Sequence, residues 1–204
     1  GRDPAAVRVW SCFATIGDHL DHGLRLKKTV GRLATYLQGY GDLLVRTNGW
    51  DPAVLERFRA DYPLSLHGVG LSLGSADPLA GAHLARLKRL ADRFEPALVS
   101  EHICWSSVGG RHLNELLPLP YTEESLAHVA GRVAQVQERL GRRILVENVS
   151  TYLQFASSTI PEGEFVAELA RRSGCGVLLD VNNAWVNAVN HGTDAREFLA
   201  AIEP

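Results

Sequence analysis

The sequence predicts an α/β fold built on parallel strands, and two patterns carry that prediction. Short apolar runs at 64–66, 97–99, 144–146 and 177–179 alternate with stretches whose apolar residues recur every three or four positions. Each run ends on residues able to bind a metal or move a proton: His67; Ser100, Glu101 and His102; Glu147 and Asn148; and Asp180, with Asn182, Asn183 and His191 behind it. In parallel α/β sheets and barrels the carboxyl ends of the strands share one face, where active sites sit. Four β–α units with right-handed crossovers fit half of a (β/α)8 barrel or most of an open sheet.

Taken in order, Asp51-Pro52 has the form of an N-cap followed by a first-turn proline, opening a helix through Ala60. Leu64–His67 follows as a strand and runs into a glycine-rich loop, 68–75. Asp77-Pro78 opens an amphipathic helix with Leu84, Leu87, Leu90, Ala91 and Phe94 on one face, stopped by Pro96. Ala97–Val99 is the next strand, and 105–120, with Gly109-Gly110 and two prolines, reads as a long loop. Thr122-Glu123-Glu124-Ser125 resembles a capping box, starting a helix whose buried stripe is Leu126, Val129, Val133, Val136 and Leu140 and whose end is Gly141. Arg143–Val146 is a strand. Pro161 begins a helix with Phe165, Leu169 and Ala170 inward, closed by Gly174. Val177–Leu179 has no polar alternation, as expected of a strand covered on both faces, and Thr193-Asp194 starts a last helix. Before Asp51 the pattern is poorer: 7–13 suits a strand and 24–37 a basic helix. Residues 1–50 are therefore expected to form an atypical or divergent N-terminal region, either the first barrel strands or a frame-disturbed stretch, and 51–204 a partial TIM-barrel metal-binding domain.

Composition narrows the function. The 204 residues are 46% hydrophobic and 22% charged with a net charge of −2, so nothing global favours nucleic acid or an anionic membrane. No apolar stretch reaches the length of a membrane span, and the start has no uninterrupted apolar h-region. Three scattered cysteines without a C-x-x-C pair read as reduced thiols of a cytoplasmic protein. Methionine is absent even at position 1, which predicts that Gly1 is a processing product or an interior residue of a longer frame. There is no G-x-x-x-x-G-K-[ST], no G-x-S-x-G, and Gly68, Gly70 and Gly74 miss the dinucleotide fingerprint by one residue. The basic stretch 25–28 with Arg32 reads as a solvated helix face.

The candidates have structural alternatives. His67 could be a histidine bonded to backbone in a packed loop. Glu101 and His102 are strand neighbours pointing to opposite faces, so one could be a surface acid beside a buried imidazole. Glu147 is expensive to bury without a cation, which Arg142 or Arg143 could also supply. Asp180 suits an Asx cap. Four loaded strand ends in a row nevertheless point to a metal site. Oxygen and nitrogen donors suit iron, manganese or zinc, and two histidines with one carboxylate are enough for a mononuclear iron centre.

Six segments then resemble one family: SLHGVGLSLG at 65–74, VSEH at 99–102, NELLPLPYT at 114–122, VEN at 146–148, LDVNN at 179–183 and NHG at 190–192. They are similar to the bacterial domain-of-unknown-function family 692, the multinuclear non-haem iron-dependent oxidative enzymes typified by a methanobactin-biosynthesis oxidase. The resemblance spans Pro52 to Pro204. It implies a xylose-isomerase-like TIM barrel holding two or three iron ions, with dioxygen as co-substrate. It also implies oxidative modification of cysteine or other residues in a ribosomally made precursor peptide, presented by a partner protein. The metal ligands it implies are His67, His102, Glu147, Asp180, Asn183 and His191, and it assigns no catalytic residue. By the same resemblance two closing strands with further ligands would follow Pro204. Two rival expectations stand beside it: a sugar-isomerase- or endonuclease-like divalent-metal enzyme on the same barrel, and an inactive fragment that only binds a partner.

Overall fold

A computed structural model describes residues 54–61 and 63–202. The chain divides into two units, Gly1–Tyr62 and Pro63–Pro204. In the first, the described residues form one helix, α1 (Val54–Asp61). The strand expected at 7–13, the helix at 24–37 and the Asp51-Pro52 helix start lie outside the described residues.

The second unit is built on a parallel sheet of four strands, β1 (Ser65–His67), β2 (Leu98–His102), β5 (Leu145–Glu147) and β6 (Gly176–Leu178), lying in that order. A two-stranded hairpin, β3 (Trp105–Val108) and β4 (Arg111–Leu117), stands apart from it. Helices α2 (Gly81–Phe94), α3 (Glu123–Leu140) and α4 (Glu162–Ser173) make the crossovers, followed by α5 (Val181–His191) and α6 (Ala195–Ala201). The expectation of a parallel α/β sheet with helical crossovers therefore holds.

The core forms where one sheet face, carrying Leu66, Val99 and Val146, meets the apolar stripes of the helices: Leu84 and Leu87, then Val129, Val133 and Val136, then Phe165 and Leu169. These stripes recur at the helical period, and their burial is the main favourable contribution. The helix ends match their local chemistry. Thr122 Oγ1 accepts from Ser125 N, and Gly141 and Gly174 close α3 and α4 with left-handed φ of 69°. At the edge, β6 leaves Leu179 just beyond it 39% exposed, so the covering expected of that run is partial.

Two expectations are corrected, and one unexpected helix is added. The stretch 105–120 contains a hairpin rather than only loop. Gly109 and Gly110 both take positive φ, 59° and 73°, giving the turn whose twist suits antiparallel strands. The hairpin was hard to read because 111–115 are all exposed, so no apolar alternation marks the strand. Asp77-Pro78 does not start α2, because the Asp77 carboxylate accepts from Gly110 N at 3.2 Å and the helix begins at Gly81. Beyond these two corrections, a helix without a counterpart in the sequence pattern forms at Val181–His191. Asp180 Oδ1 accepts from Asn183 N and Gly192 ends it, while its inward side carries Ala184, Asn187 and Ala188 and its outward side Val181, Trp185 and Val189. That inverted polarity hid the helix from a search for an apolar inner stripe.

Gly163, in the first turn of α4, lets α6 approach closely. A methyl group there would lie 2.8 Å from both Phe198 O and Ala201 Cβ. We expect Gly163→Ala to destabilise the fold by about 1–3 kcal/mol, because backbone cannot yield as a side-chain tip can. A fall in the urea midpoint checks this, and an unchanged midpoint would contradict the close packing.

Candidate metal centre

The sheet register sets the centre. His67 is opposite Ser100, His102 opposite Glu147, and Glu147 opposite Leu178. Since side chains alternate along a strand, Ser100 and His102 share one face of β2, with Glu147 beside His102 and His67 beside Ser100. Glu101 falls on the other face.

Among the described residues, His67, His102 and Glu147 bring one donor atom each to within 4.8 Å of one another. His67 Nε2 lies 3.3 Å from His102 Nε2 and 3.2 Å from Glu147 Oε2, and His102 Nε2 lies 3.8 Å from the same oxygen. The outer ring nitrogens are already engaged. His102 Nδ1 faces the Gly68 carbonyl at 2.9 Å, and a carbonyl only accepts, so this nitrogen carries a proton and the neutral ring turns its Nε2 lone pair inward. His67 Nδ1 lies 2.7 Å from Ser100 Oγ, which is itself 3.5 Å from the Leu66 carbonyl. With the serine proton on that carbonyl, Ser100 accepts from Nδ1–H, and His67 Nε2 also turns a lone pair inward.

The electrostatics follow from burial. Burial pushes the Glu147 carboxyl up to about 7; His102 pulls it the other way, while Asp180 and Glu101 add to the rise. Burial, with His102 beside it, lowers His67 to about 4 against the pull of Glu101 and Asp180. Burial would lower His102 too, but the Glu101 and Glu147 carboxylates outweigh it and hold it above its usual value. Near neutrality His67 is therefore uncharged, and its contact with Glu147 is a hydrogen bond rather than an ion pair. Without a cation, three donors pointing at one place must share a proton.

Glu101 is the residue that the ligand pattern places poorly. Only 2% exposed, it is neither a surface acid nor a member of the cluster. Oε2 accepts from Leu71 N at 3.0 Å and Oε1 from His102 N at 2.9 Å. It so ties the glycine loop to β2, and a methyl group at Gly68 would lie 2.6 Å from Oε2. That loop supplies the carbonyl which fixes the His102 tautomer.

The other expected ligands are placed as follows. Asp180 caps α5 and bears directly on the titration of Glu147. Asn183 donates from Nδ2 to the Asn148 carbonyl at 2.9 Å. His191, at the far end of α5, is turned to Thr151 Oγ1 at 2.6 Å and is not part of the three-residue group. Asn148 binds Asp180 through both backbone groups, its Oδ1 accepting from Asp180 N and its Nδ2 donating to Asp180 O. Its position directly after Glu147 was the only sequence signal for that role.

The pH response follows. Glu147 titrates near 4.5 unfolded and near 7 folded, so the folded state holds the proton more tightly. The stability this gives is fully present below pH 4.5 and is lost as pH rises through 7. We expect chelated protein to lose stability from pH 5 to 8 and Glu147→Gln to lose less over that interval. Urea midpoints at both pH values measure it; parallel losses in the two proteins would contradict the assignment.

A family model described as "RiPP precursor modification enzyme MbnB/TglH/ChrH" matches residues 21–204, starting well upstream of Pro52. Curated relatives include a UPF0276 protein of Anaeromyxobacter sp. (strain Fw109-5), 50% identical over 185 residues that cover 88% of this chain and 65% of the relative. Another, of Acaryochloris marina, is 56% identical over 148 residues, 72% of this chain and 54% of the relative. A third, of Chromobacterium violaceum, is 46% identical over 186 residues, 91% of this chain and 66% of the relative. The chain thus spans roughly half to two thirds of the length of these relatives. No helix among the described residues is long and apolar enough to cross a membrane.

Proposed function

This chain belongs to the MbnB/TglH/ChrH family of RiPP precursor modification enzymes, and from that premise we propose that it carries a large part of an iron centre that oxidises a ribosomally made precursor peptide. The observation that carries the reading is the convergence of His67, His102 and Glu147 at the carboxyl ends of three adjacent parallel strands. The four strands would form an arc of a xylose-isomerase-like (β/α)8 barrel with these ends at its active face.

The residues present fit a metal ion. Two imidazole lone pairs and a buried carboxylate oxygen meet with no Lys or Arg in the group, and two histidines with one carboxylate form the donor set of non-haem iron oxygenases. Iron held there would supply redox chemistry with dioxygen as co-substrate, suited to oxidising a cysteine or a neighbouring residue of the peptide. The protein's own contribution is positional. Ser100 and the Gly68 carbonyl orient the two imidazoles, as partners of ligating histidines do. Asp180, bearing on Glu147, and Asn183, on the first turn of α5, would add further ligands. His191 would join them only after leaving Thr151. A partner protein presenting the peptide completes the reading.

Anaerobically purified protein is expected to retain iron, and His102→Ala or Glu147→Ala to lose it. Ser100→Ala, which removes the His67 partner and the weak contact to the Leu66 carbonyl, should weaken metal affinity about 10–100-fold. Metal analysis together with oxygen uptake in the presence of a cysteine-containing precursor peptide tests the proposal. Zinc or manganese as the retained metal, with no peptide-dependent oxygen uptake, would overturn it.

A further inference from the structure

A cavity of about 590 Å³ lies beside α5, away from the three-residue group, bounded by α4, α6 and the segment leading into α4. Its size is that of a small-ligand site. Leu119, Leu153, Phe155, Ile160 and Phe198 give it apolar walls. Its polar floor is continuous. Tyr121 OH donates to Glu162 Oε1 at 3.2 Å, and Asn187 Nδ2 donates to both Glu162 oxygens at 3.1 Å. Asn187 Oδ1 accepts from Thr151 N and Oγ1.

The charge on this lining is one-sided. Glu162, Glu164, Asp194 and Glu197 all line it, whereas among the described residues no Lys or Arg does and His191 is the one ionisable base. The donors to Glu162 are neutral groups, so its carboxylate keeps no cation among the described residues. Burial pushes the Glu162 carboxyl up, against the effect of those two donors, as expected of an acid lacking a positive partner. Apolar walls with an acidic end complement a long aliphatic stem ending in a positive charge.

We propose that this cavity binds a lysine or arginine side chain of the peptide on which the enzyme acts. The proposal rests on the peptide reading above. Helix α5 also gives a distance. Asp180 caps it near Glu147, whereas Asn187 and His191 follow seven and eleven residues later. At 1.5 Å per residue that is about 10–16 Å along the axis, which an extended peptide covers in about three to five residues. The anchoring basic residue is therefore expected about three to five positions from the modified one.

Binding can be measured by fluorescence polarisation on the metal-free chain with a labelled Gly-Phe-Lys-Leu-Gly peptide. Two further probes replace the lysine by norleucine or by glutamate. The lysine peptide should bind about tenfold or more tightly than the norleucine peptide, in keeping with a charge-assisted contact. Glu162→Gln should erase that preference. The double substitution Glu164→Gln and Glu197→Gln, on exposed lining positions, should weaken lysine binding about threefold or more and reduce its salt dependence, which keeps the test open if Glu162→Gln fails to fold. Equal affinity for lysine and norleucine, or preference for the glutamate peptide, would overturn the proposal, as would rim variants that bind unchanged. Because no iron or oxygen is involved, lysine-selective binding without oxygen uptake would sink the enzymatic reading and leave the cavity assignment standing; the converse result would do the opposite.

Discussion

The Glu101 carboxylate, closed over by the amides of Leu71 and His102, is the interaction on which the candidate centre depends. A carboxylate buried this completely costs several kcal/mol unless its oxygens are satisfied. Here both are, and the satisfaction has a geometric result. The loop opened by Gly68 is drawn against β2, and its first carbonyl meets His102 Nδ1. The His102 Nδ1 proton is thereby fixed on the outer side of the ring, and Nε2 is aimed inward by backbone rather than by a mobile side chain. Replacing Gly68 by any residue with a Cβ would set that atom against the clamp itself.

Much of this was legible in the sequence. The strand bodies at Leu66, Val99 and Val146 and the helix stripes at Val129, Val133, Phe165 and Leu169 follow simple periodicities, so sheet, crossovers and core could be read from them. The convergence at the strand ends followed too, because parallel order alone brings His67, His102 and Glu147 together. What escaped was chemistry whose signal is not hydrophobic. The hairpin turns on two glycines with positive φ between exposed residues, and α5 turns a polar residue, Asn187, inward and Trp185 outward. The division of labour between Glu101 and His102 was foreseeable only as far as alternation sends neighbours to opposite faces; that the opposite face is also buried depends on the loop folding back. His191 was grouped with the ligands by motif, whereas its neighbour in space is Thr151.

The distribution of protons within the centre also has a simple origin. A carboxyl raised to about 7 and an imidazole lowered to about 4 are both responses to burial, which disfavours charge of either sign. Without a cation the site retains protons on Glu147 and on His102, whose own titration is raised by the Glu101 and Glu147 carboxylates. A metal ion held by the three donor atoms would compete with those protons, so loading would be coupled to proton release.

Asp180 stands in two structures at once. Its Oδ1 caps the first turn of α5 through Asn183 N, while the same carboxylate bears on Glu147. Asn148 pins its backbone from both sides, so the side chain has little freedom to serve one role without changing the other. An ion at the centre that drew on this carboxylate would loosen or redirect the cap of the helix whose other end carries Asn187 and His191. Binding at the centre and binding in the cavity would then share a free energy through one helix, and such a coupling would run equally in both directions: what the centre did to the affinity of the cavity, a guest in the cavity would do to the centre.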